Sequence, residues 1–312
     1  MSERIHDDEP DDTSEGTVRT LLAAQCPQWS DLPITYLRTS GTDNAMWRVH
    51  VPESADVVVR LPRRRHAAEK SGQELDLLRL ISESSLASVV TTPPVRHVGE
   101  PHEEFPHRWG VLGWLDGSDA WSARKTLEGE PESLAADLAE AVLAIGALAD
   151  VPAPPREPGG RGGPIGPLVQ RLGQWLEDPE WRASELIDVA TVRRLGAEAL
   201  EVSDEPVIPR FVHGDLIPGN LLVEAGRLSA VIDWGSAGCA DPAQDLAPAW
   251  AVLDGHSRHV FRHAVGMDDA TWIRARTFEL EHAVGGVLYY TPRRHPLGDV
   301  MARTLDRILE GR

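Results

Sequence analysis

His213-Gly214-Asp215-Leu216-Ile217-Pro218-Gly219-Asn220, followed thirteen residues later by Asp233 in Val231-Ile232-Asp233-Trp234-Gly235, is the stretch on which the fold turns. Between Asn220 and Asp233 lie two short apolar runs, Leu221-Leu222-Val223 and Leu228 to Ile232, around Glu224-Ala225-Gly226-Arg227. Two such runs about a glycine-containing turn predict a β-hairpin. The hairpin holds Asn220 and Asp233 at neighbouring strand ends, close enough to share a metal ion. An isolated His-x-Asp in a loop is ordinarily a turn or a cap, because Asp readily bonds nearby backbone. Two motifs at a fixed separation, joined by a hairpin, ask for a chemical reason.

That spacing resembles the catalytic machinery of protein-kinase-like enzymes. There a catalytic-loop Asp accepts the proton of the attacking hydroxyl. An Asn five positions on and the Asp of a D-F-G triplet hold magnesium on the nucleotide phosphates. Asp215, Asn220 and Asp233 occupy those offsets, with H-G-D for H-R-D and D-W-G for D-F-G. The H-G-D form, with Pro218-Gly219 before the Asn, is similar to the aminoglycoside phosphotransferase family of small-molecule antibiotic kinases, macrolide phosphotransferases included. The resemblance implies an α+β, protein-kinase-like two-lobed fold, with a small antiparallel N-terminal lobe bearing one main helix and a larger helical C-terminal lobe. It also implies ATP or GTP as phosphate donor and Mg²⁺ as cofactor.

The chemistry explains the residue types. Phosphoryl transfer needs a hydroxyl aimed at the γ-phosphorus and positive charge over the phosphate oxygens. Asp215 would orient and deprotonate the hydroxyl. Asn220 and Asp233 offer hard oxygens, which suit Mg²⁺ because that ion keeps waters and takes only one or two carboxylates beside phosphates. His213 is expected to brace the loop by hydrogen bonding, as is Asp245, which matches a family carboxylate that tethers it. Asp241 with Pro242 reads as a helix start.

Upstream, Ile34 to Arg38 and Ala45 to Val51 read as strands about Ser40-Gly41-Thr42-Asp43-Asn44. A hairpin tip of this kind can offer backbone N–H groups to phosphates, so Ser40, Gly41, Thr42 and Asn44 are candidate nucleotide contacts. Val57-Val58-Val59-Arg60 reads as a buried strand carrying a cation. By resemblance Arg60 stands where kinases carry a Lys, a departure because the two cations are not interchangeable. A helix from about His66 to Ser82 follows, with Leu75, Leu77, Leu78 and Ile81 as its apolar stripe. Glu74 is the candidate partner of Arg60, with Glu69 as competitor. Trp109 to Gly117 looks like the last strand of the small lobe running into a hinge, with Leu112, Gly113 and Trp114 at the adenine. Leu222 and Ile232 of the hairpin are assigned to the nucleotide as well.

Composition fits an intracellular enzyme. Of 312 residues, 41% are apolar, and no run nears the ~20 needed to span a membrane. With only two cysteines, Cys26 and Cys239, no disulfide framework is indicated. The N-terminus lacks a basic-then-apolar signal pattern, so cytoplasm is the expected compartment. A net charge of −18 argues against a nucleic-acid partner, which needs a basic face. Residues 1–15 hold seven Asp or Glu and one Arg, so residues 1–16 are expected to be a disordered acidic tail. Removing that net −6 leaves −12 on the body, which can steer a cationic acceptor. The expected division is 17–113 for the N-terminal lobe and 114–312 for the C-terminal one, in a monomer or homodimer.

The second lobe should be mostly helical. Leu134, Leu138, Val142, Ile145 and Ala149 recur at helical spacing from Ser133. The Pro/Gly-rich run from Val151 to Pro167 interrupts it. Its Gly159-Gly160-Arg161-Gly162-Gly163 core lacks a following G-K-[ST], so it reads as a surface loop bordering the acceptor. Asp268 or Asp269 can cap a helix from about Ala270 to Tyr290. Glu279, His282 and Tyr289 on it are the candidate acceptor residues. Glu279 and Glu281 lie two apart, so at most one should face a pocket, and a solvated face is the expectation for either. No A-P-E segment follows Asp233, so the acceptor should be a small molecule with a hydroxyl. Two alternatives stand beside an antibiotic: a metabolic alcohol (choline, a sugar or an amino alcohol), or no turnover at all in a nucleotide-binding pseudokinase.

Overall fold

Val57–Pro62 is buried along its whole length, which requires cover on both faces of the sheet it belongs to. Alternate side chains of a strand point to opposite faces. Val57, Val59 and Leu61 join Val18, Leu21 and Leu22 of an N-terminal helix in one apolar cluster with Ala45, Val49, Trp109 and Val111. Arg60 therefore belongs to the other face. The computed structural model describes residues 12–38, 43–127, 131–154 and 160–310. They form two compact units, the first running to Glu83 and resuming over Thr92–Leu115, the second comprising Ser84–Thr91 and the chain from Asp116.

The first unit contains α1 (Glu15–Gln25), β1 (Ile34–Leu37), β2 (Asn44–Val49), β3 (Val57–Pro62), α2 (Arg65–Glu83), β4 (Val95–Gly99) and β5 (Trp109–Gly113). The sheet order is β1-β2-β3-β5-β4, every pair antiparallel. Helix α1 starts inside the segment expected to be tail. Ser14 caps it by accepting from the Thr17 N–H, and Val18, Leu21 and Leu22 bury one face. Helix α2 packs on β3, β4 and β5 and buries the expected stripe of Leu75, Leu77, Leu78 and Ile81. Gly110 admits this approach, since a Cβ there would meet Leu75 at 2.6 Å.

The second unit contains β6 (Ser118–Asp119), α3 (Pro131–Gly146), α4 (Ile165–Glu177), α5 (Ala183–Leu186), α6 (Val189–Leu200), β7 (Arg210–Val212), β8 (Leu221–Glu224), β9 (Arg227–Val231), β10 (Gly238–Ala240), α7 (Pro248–Ala251), α8 (Gly255–Val265), α9 (Asp269–Tyr290) and α10 (Leu297–Leu309). Helix α3 ends at Gly146, before Ala149, which is exposed. The β8–β9 hairpin forms as its sequence predicts. Ala225 and Gly226 both take positive φ, 47° and 77°, the backbone of the two-residue turn that matches strand twist. Arg227 then clamps the hairpin to Asp137 of α3 at 2.6 Å. Asp268 caps α9, which packs against α4, α6 and α10 and is buried on nearly every side.

Candidate functional site

Strand β7 delivers the chain into the His213–Asn220 loop, and buried side chains from the next turn hold it there. Asp245, 2% exposed, accepts from the His213 N–H at 2.6 Å and the Gly214 N–H at 2.7 Å. Hydrogen bonds to an ionised group are roughly twice as strong as neutral ones, so this carboxylate sets the entry of the loop. Gln244 Nε2 donates to the Gly214 carbonyl at 3.1 Å. Gly214 takes φ 81°, the left-handed turn that glycine reaches without a Cβ penalty.

His213 is fully buried, its ring set edge-on to Trp234 at 4.6 Å between centroids. The hydrogen bonds assign its tautomer. Nε2–H donates to the Ile232 carbonyl at 3.1 Å, and Nδ1 accepts from the Asp215 N–H at 3.2 Å. A histidine so committed links the loop to the end of β9.

Asp215 and Asn220 meet directly. Asn220 Nδ2 donates to Asp215 Oδ2 at 3.1 Å and to the Asp215 carbonyl at 2.9 Å. The planar amide thereby turns its Oδ1 the other way. The Ile232 N–H donates to the Asn220 carbonyl at 2.9 Å, which brings the start of β8 beside the end of β9. Asp233 is the next residue, exposed and in the left-handed region at φ 63°. Non-glycine residues adopt that conformation rarely, and often where function demands it. Trp234 beneath it is buried and donates Nε1–H to the Val231 carbonyl at 3.1 Å.

A divalent cation fits this donor set. Among the described residues no three His, Cys, Asp or Glu side chains gather to enclose a metal. One amide oxygen and one carboxylate, from Asn220 and Asp233, suit an ion that fills its remaining positions with phosphate oxygens and water.

In the first unit Arg60 and Glu74 form a buried bidentate pair, 7% exposed each, with Nη2 to Oε2 at 2.8 Å and Nη1 to Oε1 as the second bond. Asn44, with its amide oxygen turned to the guanidinium, accepts from Nη2 at 2.9 Å and Nε at 3.1 Å. Glu69, the competitor, lies exposed and faces Arg65 at 3.4 Å. Ser40, Gly41 and Thr42 lie outside the described residues. Leu112 and Gly113 end β5. The Gly113 N–H donates to the Pro94 carbonyl and the Trp114 N–H to the Asp56 carbonyl. Two backbone donors expected to face adenine are thus committed within the unit. The Trp114 ring carries the Arg48 guanidinium at 3.9 Å. Leu222 and Ile232 are half-buried in the second unit.

The acceptor candidates on α9 part company. Glu279 and Glu281 are buried, at 2% and 6% exposure, where a solvated face was expected. The reason is tertiary: a helix covered on nearly all sides has no solvated stripe, so its carboxylates must find polar neighbours within the protein. Glu281 accepts from Arg171 Nε of α4 at 2.8 Å, and Glu279 lies 3.7 Å from His282 Nδ1. Tyr289 lies about 10 Å beyond His282 and about 15 Å beyond Glu279 along the helix axis, stacked with Arg293 and edge-on to Tyr290.

Other residues were not legible as site components. Gln244 has no sequence mark at all. Arg274 of α9 donates from Nε to Asp241 at 2.6 Å, both side chains buried, while Asp241 caps the turn bearing Gln244 and Asp245. Arg161, in the glycine-rich segment read as surface loop, places Nη2 at 3.6 Å from Asp215 Oδ1.

Residues 37–278 match the Phosphotransferase enzyme family, APH. No curated protein matches the chain in sequence. Among solved structures, the GDP and kanamycin complex of APH(2")-IIia superposes with a TM-score of 0.69 at 19% identity, covering 94% of this chain and 97% of that one. The GDP complex of wild-type aminoglycoside 2'-phosphotransferase-IIIa gives 0.67 at 19%, over 96% and 98%. Macrolide 2'-phosphotransferase type I gives 0.61 at 19%, over 94% and 96%. At such identity these likenesses establish the protein-kinase-like fold.

Proposed function

Since the chain belongs to the Phosphotransferase enzyme family, we propose that it moves the γ-phosphoryl group of ATP or GTP to a hydroxyl of a small molecule, with aminoglycoside and macrolide antibiotics as the leading acceptors. One observation carries this reading: the Asp215 carboxylate is bonded to the Asn220 amide in a loop whose entry is fixed by Asp245. Asp215 orients the acceptor hydroxyl and takes its proton. Asn220 and Asp233 hold Mg²⁺, which when bound neutralises charge on the phosphates. His213 and Asp245 act through the loop. In the first unit Arg60, its donors already engaged by Glu74 and Asn44, offers the nucleotide phosphates its charge. Leu112, Gly113 and Trp114 are contacts for the base through side chains and carbonyls, since the Gly113 and Trp114 N–H groups are committed within the unit. In the second, Leu222 and Ile232 are apolar nucleotide contacts. The GDP and kanamycin recorded with a protein of like fold support donor and acceptor classes alike.

A second reading, a kinase of a sugar or other metabolic alcohol, draws support from α9. Arg171 already neutralises Glu281, and Glu279 is buried beside His282. Those carboxylates are poorly placed to receive the ammonium groups of a polycationic antibiotic.

The test couples ADP or GDP release to a library of aminoglycosides, macrolides and primary metabolites. Asp215→Ala should keep nucleotide binding and lose turnover by roughly three orders of magnitude or more. Asp233→Ala should weaken binding of the Mg-nucleotide itself, read by calorimetry. Product formation by Asp215→Ala at the wild-type rate would defeat the proposal.

A further inference from the structure

The glycine-flanked Arg161 has no part in the machinery described so far, yet among the described residues it is the cation that forms an ion pair with the loop carboxylate. Between Phe211 and Ser257 the sequence contains one Lys or Arg, Arg227, and that residue is clamped to Asp137. The loop and the segment after β9 therefore bring carboxylates but no available cation of their own. Phosphoryl transfer sets a polyanionic group within a few ångströms of a carboxylate, and two like charges at that range repel strongly wherever water is excluded. Mg²⁺ at Asn220 and Asp233 would offset part of that charge, and a cation beside Asp215 would offset it on the acceptor side, where the carboxylate stands.

Arg161 is built into that place. The Gly163 N–H closes a turn on the Gly160 carbonyl at 3.1 Å, and the Gly162 carbonyl accepts from the Asp241 N–H at 2.9 Å. Gly162 takes φ 82°, and a Cβ there would come within 2.8 Å of the Ala240 side chain. So the turn is seated on β10 and Asp241, immediately before the residues that brace the catalytic loop. From this seat Arg161 Nη2 reaches 3.6 Å from Asp215 Oδ1, with the two side chains 23% and 24% exposed. The oxygen it approaches is informative. Asn220 already donates to Oδ2, so Oδ1 is the oxygen left to receive a hydroxyl. An attacking oxygen held there lies about 3–3.5 Å from the phosphorus it attacks, within a guanidinium's span of Arg161.

We infer that Arg161 is a further catalytic residue, whose guanidinium donates to an oxygen of the transferring phosphoryl group beside Asp215. This rests on the phosphotransferase reading above. In the step, the acceptor oxygen forms a bond to the γ-phosphorus. The bond from that phosphorus to the β,γ-bridging oxygen breaks, its electron pair leaving on the nucleoside diphosphate. The hydroxyl proton passes to Asp215 Oδ1. Arg161 offsets the repulsion between phosphoryl group and carboxylate as they close, and its planar fork can meet both anions at once.

The experiment uses the purified full chain with Mg²⁺ and γ-labelled ATP or GTP, following phosphate release with water as acceptor, for wild type, Arg161→Ala, Arg161→Lys and Asp215→Ala. Arg161→Ala should lower kcat roughly 100-fold, the scale of one transition-state donor, while nucleotide KM moves less than about threefold. Arg161→Lys should retain part of the rate, and millimolar guanidinium should restore part of the activity of Arg161→Ala without raising that of Asp215→Ala. An Arg161→Ala kcat equal to wild type, with Asp215→Ala inactive, overturns the inference and leaves the phosphotransferase reading standing. A loss that neither guanidinium nor lysine relieves also overturns it, because it marks a packing role. Absence of turnover in the wild type with either nucleotide, with or without the acceptor library, overturns both.

Discussion

Arg60 and Arg161 each face a carboxylate, and the two pairs are built in opposite ways. Arg60 is buried on a central strand, joined to Glu74 by two bonds and to Asn44 by two more. Arg161 stands on a turn, a quarter exposed, in ion-pair contact with Asp215 but beyond hydrogen-bond reach. Burying a guanidinium is costly unless its donors are satisfied, so the strand position demands a saturated partner set. The turn position does not, and that leaves Asp215 and Arg161 able to exchange each other for a ligand. One pair is a commitment of the fold, the other an opening for chemistry.

Removing Glu74 should break the comparison most visibly. Glu74→Ala strands a buried cation and should cost about 3–5 kcal/mol of stability, read as a lower midpoint of chemical unfolding. A wild-type midpoint would mean that Arg60 is not held as described. Asp245→Ala comes next, since it orphans the N–H groups of His213 and Gly214. Two such donors together should cost about 3 kcal/mol, and nucleotide turnover should fall with the loop. Retained turnover at wild-type stability would show that the carboxylate braces nothing. Asp215→Asn sharpens the contrast from the other side. Its ion pair is partly open to water, so the change in stability should stay below about 1 kcal/mol although activity is lost. A larger drop in the unfolding midpoint would place Asp215 among the structural carboxylates.

The smallest effect is a pH dependence in the first unit. Burial lowers the pKa of His97, with Glu100 pulling the other way, and the ring packs against Trp109 at 5.7 Å. Its folded value lies below the ordinary 6.5, so the unfolded chain binds more protons in the interval between the two. Stability from this group is complete above the ordinary value and declines as pH falls through it towards the folded value. His97→Gln should flatten that slope in unfolding curves taken between pH 7 and 5. An unchanged slope would remove His97 from the account.

Much of the candidate site could be read along the chain because its parts are local. Asp215 and Asn220 share one loop, and the hairpin that carries the chain to Asp233 announces itself through apolar runs about Ala225-Gly226. Asp245 and His213 were legible through the same resemblance, and the structure gives each the hydrogen bonds a brace requires. No helix is read from the sequence ahead of β1, although Val18, Leu21 and Leu22 carry the helical spacing that α1 buries. Glu279 and Glu281 are buried where a solvated face is expected, and the cause lies outside their own helix. Helices α4, α6 and α10 pack on α9 without any periodic sign in α9 itself, and Arg171 of α4 reaches Glu281.

Residue type and spacing therefore determined the loop and the hairpin, since hydrogen bonds and turns within a few residues depend on little else, and the resemblance those motifs carry supplied the chemistry expected of their oxygens. Which cation stands beside Asp215, and which carboxylates are neutralised before any ligand arrives, was decided by tertiary packing. Arg161 lies 54 positions from Asp215 and Arg171 110 from Glu281. Contacts across such separations leave no periodic trace, because the burial that selects them exists only once distant elements have packed.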